Sequence, residues 1–168
     1  TSVTQLLQIA QTTGNATFAG NINLADSKYA YFGNANDFYI GHNATNTYLL
    51  NSTGNIEIAN YDDDKDIIFQ CDDGSGGVTT YFHLDGGWAD GTYKYTVWPD
   101  NSVITLGAGA DLTIYHNGTN SLIENSTGDF YISNKQDDGN IIFFCDNGSG
   151  GTTEYFRVDG TNTRVDFS

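Results

Sequence analysis

Residues 67–84 read IIFQCDDGSGGVTTYFHL, two short apolar runs joined by a turn-forming stretch. The runs are rich in β-branched and aromatic residues, which favour strands, and Gly74, Gly76 and Gly77 supply the backbone freedom that a tight connection needs. The stretch therefore predicts a β-hairpin. The same pattern returns 74 positions later as IIFFCDNGSGGTTEYFRV at residues 141–158.

The hairpin belongs to a longer internal repeat. Residues 33–86 align with residues 107–160 without a gap, and 29 of the 54 pairs are identical. The same offset extends weakly upstream, where it pairs Asp26 with Asp100. A gapless duplication is typical of modular arrays in which each copy is one structural unit. We therefore divide the chain into a lead-in segment at 1–13, a β-repeat unit at 14–87, a second unit at 88–161, and a downstream segment or C-terminal strand at 162–168.

Composition predicts the fold class. The chain has 20 Gly, 11 Tyr and 10 Phe but one Pro and no Met, a mixture typical of many short strands joined by tight turns. We expect an all-β protein made of tandem β-rich modules. Each module is small for a core of its own, and short strands with open edges need partners. We therefore expect an elongated, intertwined homotrimeric fibre.

The charge balance excludes some partners. The net charge is −15, from 21 acidic and 6 basic residues, so a basic surface for nucleic acid is not expected. No run approaches the roughly 20 apolar residues of a membrane span, and residues 1–11 lack a basic leader region. Membrane insertion is not expected. Since the sequence does not begin with Met, we expect a piece of a longer chain.

Candidate metal ligands are few. The acidic residues around the turns resemble calcium ligands, but no twelve-residue calcium loop or nonapeptide repeat is present, so solvated turns are favoured and no cofactor is expected. Calcium stays an open alternative. His42 and His116 are equivalent and each lies beside a turn, which favours a hydrogen bond to the turn backbone over a metal site. The acidic residues in question are Asp62, Asp63, Asp64, Asp66, Asp72, Asp73, Asp137 and Asp138.

Cysteine spacing argues against a disulfide within the chain. Cys71 and Cys145 occupy the same position in the two copies, so one repeat length separates them. We expect free, buried thiols, with a bridge between symmetry-related chains as the alternative.

Catalytic signatures are absent. The chain has no G-x-S-x-G elbow and no phosphate loop, and Glu57, Glu124 and Glu154 do not recur at equivalent positions. We expect no enzyme and no catalytic residues. The many aspartates leave a carboxylate pair for glycoside hydrolysis open as an alternative.

Four aromatic residues in the connector between the copies are the candidates for ligand binding: Trp88, Tyr93, Tyr95 and Trp98. Exposed aromatic rings stack on sugars while neighbouring polar groups bond hydroxyls. The favoured alternative is that these rings close the junction between the modules.

One repeated phrase resembles a known family. Residues 111–121 read DLTIYHNGTNS, similar to a repeat of tail-fibre and other structural proteins of marine bacteriophages, especially those of cyanobacteria. Residues 37–47 are a looser match, and residues 64–82 and 165–168 also resemble those proteins. The resemblance implies homotrimeric, host-contacting fibres located on the virion, outside the cell.

The predicted function is therefore a structural and adhesive segment of a phage tail fibre. Its expected partners are further copies of itself and a host surface polysaccharide. Two alternatives stay open: a tailspike-like polysaccharide depolymerase and a self-assembling extracellular filament subunit.

Overall fold

All regular structure is β in a computed structural model that describes residues 18–168. The all-β prediction is confirmed for this range, and none of its residues forms a helix that could cross a membrane. The lead-in segment 1–13 lies outside the described residues. The twelve strands are β1 (Lys28–Phe32), β2 (Phe38–His42), β3 (Thr47–Asn51), β4 (Ile67–Asp72), β5 (Val78–Asp85), β6 (Tyr95–Val97), β7 (Ile104–Leu106), β8 (Leu112–His116), β9 (Ser121–Asn125), β10 (Ile141–Asp146), β11 (Thr152–Asp159) and β12 (Arg164–Phe167).

The strands form four three-stranded antiparallel sheets, each a simple meander in which a strand pairs with the next along the chain. We number them sheet 1 (β1–β3), sheet 2 (β4–β6), sheet 3 (β7–β9) and sheet 4 (β10–β12). Contacts divide the chain into two compact units, Thr1–Ala59 and Asn60–Ser168. Sheet 1 lies in the first unit and the other three lie in the second.

The hairpin predicted at residues 67–84 is confirmed. Strands β4 and β5 pair from Ile67↔Leu84 onward, with a bulge after Phe69. The corresponding pair β10 and β11 carries its bulge after Phe143, the equivalent residue. The connecting turn needs glycine, because Gly74 has a φ of +78°.

The third strand of each hairpin sheet breaks the constant offset. The loop between β5 and β6 has nine residues (86–94), whereas the loop between β11 and β12 has four (160–163). Residues 88–94 of this loop form half of the connector between the copies, which runs from 88 to 101. Strands β6 and β12 nevertheless take the same place, each at the outer edge of β5 or β11.

The part of the chain that the structure describes has no hydrophobic core. No apolar side chain of residues 18–168 is buried, and the one buried residue in that range is Asp159, at 8% exposure. The prediction that Cys71 and Cys145 are buried is wrong for the chain alone, because both are exposed, although both are free as expected. The reason is that no second layer covers the sheets.

Two segments with a strand-like pattern are not strands. Residues 55–59 alternate polar residues with Ile56 and Ile58, and residues 129–133 alternate in the same way. Neither segment joins a sheet, and both isoleucines are exposed. The alternation predicts a strand, but a strand needs a neighbour to share its backbone hydrogen bonds.

Candidate interaction surfaces

One face of sheet 3 carries isoleucine and leucine at its centre, with Asn125, His116 and Ser121 at its ends. Residues directly opposite in antiparallel strands share a face, and the pairs Ile104↔Ile114, Ile114↔Ile123 and Leu106↔Leu112 place five apolar side chains together. Ile123 is 62% exposed. A groove of about 510 Å³ is lined by Ile104, Ile114 and Ile123 of this face and by Trp98. We call this the apolar face of sheet 3.

Sheet 1 has an equivalent apolar face. Its strands pair in the same register, and every one of the five apolar positions of sheet 3 is again apolar. Four of the five differ in identity between the copies, so the shared property is the apolar character of the face. In sheet 1 the residues are Ala30, Phe32, Phe38, Ile40 and Leu49.

The opposite face of sheet 3 is largely polar. Thr105 lies opposite Thr113, which lies opposite Glu124. The Tyr115 hydroxyl donates to Glu124 Oε2 at 3.0 Å, and this hydrogen bond to a carboxylate raises the pKa of Tyr115. Leu122 is the apolar exception on this face.

The opposite face of sheet 1 is aromatic. The pairs Tyr29↔Gly41↔Tyr48 and Tyr31↔Tyr39↔Leu50 place four tyrosines on it. The rings of Tyr29 and Tyr39 lie 5.3 Å apart, and those of Tyr31 and Tyr39 lie 5.4 Å apart. Such tilted and edge-to-face packing is favourable for aromatic rings. We call this surface, with Gly41 and Leu50, the tyrosine face.

Gly41 allows the tyrosine face to form. A Cβ atom at position 41 would collide with the Tyr29 ring, so the ring lies directly over the glycine backbone. Asn43 Nδ2 also donates to the Tyr48 hydroxyl at 2.8 Å and fixes that ring. The second copy carries Tyr115 where the first has Gly41. Sequence reasoning missed this face, although comparing the two copies at alternate strand positions would have revealed it.

Sheets 2 and 4 each carry a stack of three aromatic rings across their strands. In sheet 2 the ring of Phe82 lies 4.5 Å from Phe69 and 4.8 Å from Trp98. In sheet 4 the stack contains Phe143, Phe156 and Phe167, with ring separations of 4.2 Å and 5.9 Å. Trp98 and Phe167 thus fill the same place in two sheets. The neighbouring row on this face of sheet 4, Ile141, Val158 and Val165, is also apolar.

The four connector aromatics predicted as ligand-binding candidates do not form one cluster in the structure. Trp88 and Tyr95 meet edge to face with ring centres 6.1 Å apart. Trp98 packs on Phe82 in the aromatic stack of sheet 2. Tyr93, 64% exposed, lies in the long β5–β6 loop, where its backbone N–H donates to Asp90 Oδ1.

The two equivalent histidines bond to turns. His42 Nδ1 lies 3.1 Å from the backbone N of Ala44, and His116 Nδ1 lies 3.2 Å from that of Gly118. The predicted contact with the turn backbone is confirmed. The same Nδ1 atom also lies near an aspartate, 3.2 Å from Asp26 Oδ1 in His42 and 2.8 Å from Asp100 Oδ1 in His116. A ring with its hydrogen on Nδ1 donates to the carboxylate, whereas a ring with that hydrogen on Nε2 accepts from the turn N–H.

Several acidic side chains in the turns accept hydrogen bonds from the protein's own N–H groups. Asp73 Oδ1 accepts from Gly77 N, Ser75 N and Ser75 Oγ, and these bonds hold the pKa of Asp73 below its ordinary value of 3.8. Asp66 Oδ1 accepts from Gly86 N. Within residues 18–168 no group of three or more His, Cys, Asp or Glu side chains is placed to hold a metal ion.

Two of the three glutamates have partners in the chain. Glu124 accepts from Tyr115, and Glu154 pairs with Arg157 at 2.6 Å. Both carboxylates accept hydrogen bonds within the chain.

Comparisons with protein-family models, with curated protein sequences and with solved structures find no match to this chain.

Proposed function

We propose that this chain is a structural and adhesive segment of a bacteriophage tail fibre, in which three copies associate through their apolar faces. The assembly spaces the fibre and contributes to recognition of the host surface. The observation that carries the proposal is that no apolar side chain of residues 18–168 is buried, although one face of sheet 3 and one face of sheet 4 each carry apolar rows. Rows of this kind mark interaction surfaces.

Unpaired segments and the family resemblance favour an intertwined trimer over a simple contact between faces. The alternating residues 55–59 and 129–133 have strand-like sequences and no strand partner among the described residues, so a neighbouring copy is a natural source of one. The repeated phrase at residues 111–121 resembles fibre proteins whose form is homotrimeric.

Light scattering tests the proposal directly. We expect a mass of about 55 kDa, three times the 18.3 kDa of one chain. Ile123→Asp should abolish the trimer, because it places a charge on the apolar face, where a partner copy would bury it. Thr105→Asp, on the opposite face of the same sheet and opposite Thr113, is the matched control and should keep the mass.

Each outcome decides something. A compact monomer of wild-type chain, or an Ile123→Asp variant that assembles normally, would overturn the proposal. Chains that polymerise end to end would instead favour the self-assembling filament. Binding of the purified trimer to host cells would identify a receptor-contacting segment, and its absence would identify a shaft.

A further inference from the structure

The tyrosine face of sheet 1 differs in surface chemistry from the equivalent face of sheet 3. Tyr31 and Tyr39 are replaced in sheet 3 by Thr105 and Thr113, although the strand pairings are the same. The apolar faces, by contrast, stay apolar in both copies. The repeat therefore preserves one face and changes the other.

The second copy indicates which way the tyrosine face points. On the equivalent face of sheet 3, Thr105, Thr113 and Glu124 are suited to water, because covering a carboxylate is costly. Since sheet 1 has the same register, its tyrosine face also lies opposite the apolar face and points to solvent in the assembly. This step depends on the proposed function, in which partner copies cover the apolar faces.

We infer that the tyrosine face binds an uncharged polysaccharide chain. Solvent-facing clusters of large aromatic rings mark interaction surfaces, and Tyr31 is 51% exposed. Tyrosine offers a flat apolar ring with a hydroxyl at its edge, which matches the C–H faces and hydroxyls of sugar rings. Because tyrosine has few rotatable bonds, it also loses little conformational entropy when a ligand binds.

Charge selects a neutral ligand. All six residues of the tyrosine face are uncharged, and the charged or titratable side chains of the same sheet, Lys28 and His42, belong to its apolar face. The chain as a whole carries −15, which repels polyanions at a distance. A neutral sugar chain encounters neither this repulsion nor an unpaired charge.

The size of the face argues for a sugar chain over a protein partner. Three strands of five residues present a surface of about 10 Å by 14 Å. That area is far below the roughly 800 Å² per partner of a stable protein interface. A short stretch of polysaccharide fits it, and three copies of the site in one trimer raise a weak affinity through multivalent attachment.

The face is held ready for a ligand. Tyr29 is positioned over Gly41, Tyr48 is fixed by Asn43, and Tyr39 packs against two neighbouring rings. A preformed surface loses less conformational entropy when a ligand binds. The Tyr48 hydroxyl accepts from Asn43 Nδ2, so its own hydrogen stays available to a sugar oxygen.

Binding of purified polysaccharides to the full chain tests the inference. The probes are dextran, mannan and galactan as neutral chains and alginate as an acidic one. The test variant carries Tyr31→Thr and Tyr39→Thr, which are the residues of the second copy and therefore suit the fold. The control carries Trp88→Ala and Tyr93→Ala in the connector. Light scattering accompanies every measurement.

We expect at least one neutral polysaccharide to bind, and the double tyrosine variant to bind it at least about tenfold more weakly with unchanged mass. The connector control should bind as the wild type does. The inference is overturned if no neutral chain binds, if only alginate binds, or if the tyrosine variant binds normally. A change of mass in that variant would assign the face to another copy of the chain. If the wild type is a monomer and its binding still depends on the tyrosines, the proposed trimer is wrong and the sugar-binding inference stands.

Discussion

At the scale of single residues, the hydrogen bonds of a turn side chain explain why one position exchanges aspartate for asparagine while another keeps asparagine. Asp73 and Asn147 are equivalent, and both accept from the backbone N–H two and four residues later. Asn51 and Asn125 instead donate Nδ2 to two carbonyl groups, and both copies have asparagine there. A carboxylate has no hydrogen to donate, which explains the difference.

Aspartate should lower stability where it replaces a donating asparagine and should have little effect where it replaces an accepting one. Asn125→Asp places a carboxylate against the carbonyls of Thr127 and Gly128 and should lower the free energy of unfolding by about 1 kcal/mol. Asn117→Asp keeps an oxygen that accepts the N–H groups of Thr119 and Asn120, so it should change the free energy of unfolding little. Denaturant unfolding at one fixed protein concentration measures both, and equal costs would contradict this account of the turns.

The Asp73 turn should lose stability in acid. Its carboxylate is stabilised by the N–H groups of Gly77 and Ser75, so its folded pKa lies below the unfolded one. The contribution is complete above the unfolded pKa of about 3.9 and is lost as pH falls through the folded pKa. The stability difference between wild type and Asp73→Asn should therefore change below about pH 4. Asp63→Asn removes a similar charge without this cap and serves as the control; the same acid profile for both variants would contradict the assignment.

At the scale of elements, each sheet is defined by which residues share a face. Tyr29 and Gly41 illustrate this, because the ring of one lies over the backbone of the other across two strands. In the second copy the same pair of positions holds Val103 and Tyr115, a smaller residue opposite a larger one. The two copies thus balance side-chain volume across the strands in opposite ways.

Gly41→Ala tests this balance. The added Cβ meets the Tyr29 ring, and we expect the free energy of unfolding to fall by about 1–3 kcal/mol. In a chain that already carries Tyr29→Val, the residue of the second copy, the same change should cost at least about 1 kcal/mol less. A double-mutant cycle from denaturant unfolding measures the coupling; equal costs in the two backgrounds would show that the pair does not interact.

Hairpins were predictable from sequence, whereas the third strands were not. The run at residues 67–84 carries its own turn glycines, so local rules give both strands and their connection. Strand β6 follows a nine-residue loop and has three residues, too few for a periodic pattern. Residues 165–168 took part in the family resemblance, but the resemblance did not predict that they pair with β11. Such a pairing depends on a neighbour distant in sequence.

At the scale of the whole molecule, the proposed trimer links folding to association. Residues 18–168 have no buried apolar core, so in that proposal they gain their hydrophobic stabilisation when copies cover the apolar faces. The thermal unfolding midpoint should therefore rise with protein concentration. Circular dichroism over a hundredfold range of concentration measures it, and a midpoint independent of concentration would indicate a chain that is stable alone.

Recognition belongs to this scale too, because it depends on which surfaces the assembly leaves uncovered. The connector aromatics were the sequence candidates, and the structure places Trp98 in an aromatic stack equivalent to that of Phe167. The tyrosine face was not among the candidates. Its residues come from three strands, and only their pairing shows that they form one surface.

The sequence by itself determined the all-β class, the hairpins and the turn chemistry, because alternation, glycine and asparagine act over a few neighbouring residues. Only the tertiary structure decided which side chains share a face and that no apolar residue of 18–168 is covered. The physical reason is that strand register is a relation between distant segments, and a shift of one residue turns every side chain to the other side. The sequence shows the internal repeat, but only the strand register shows that it preserves an apolar face in each copy while the opposite face differs.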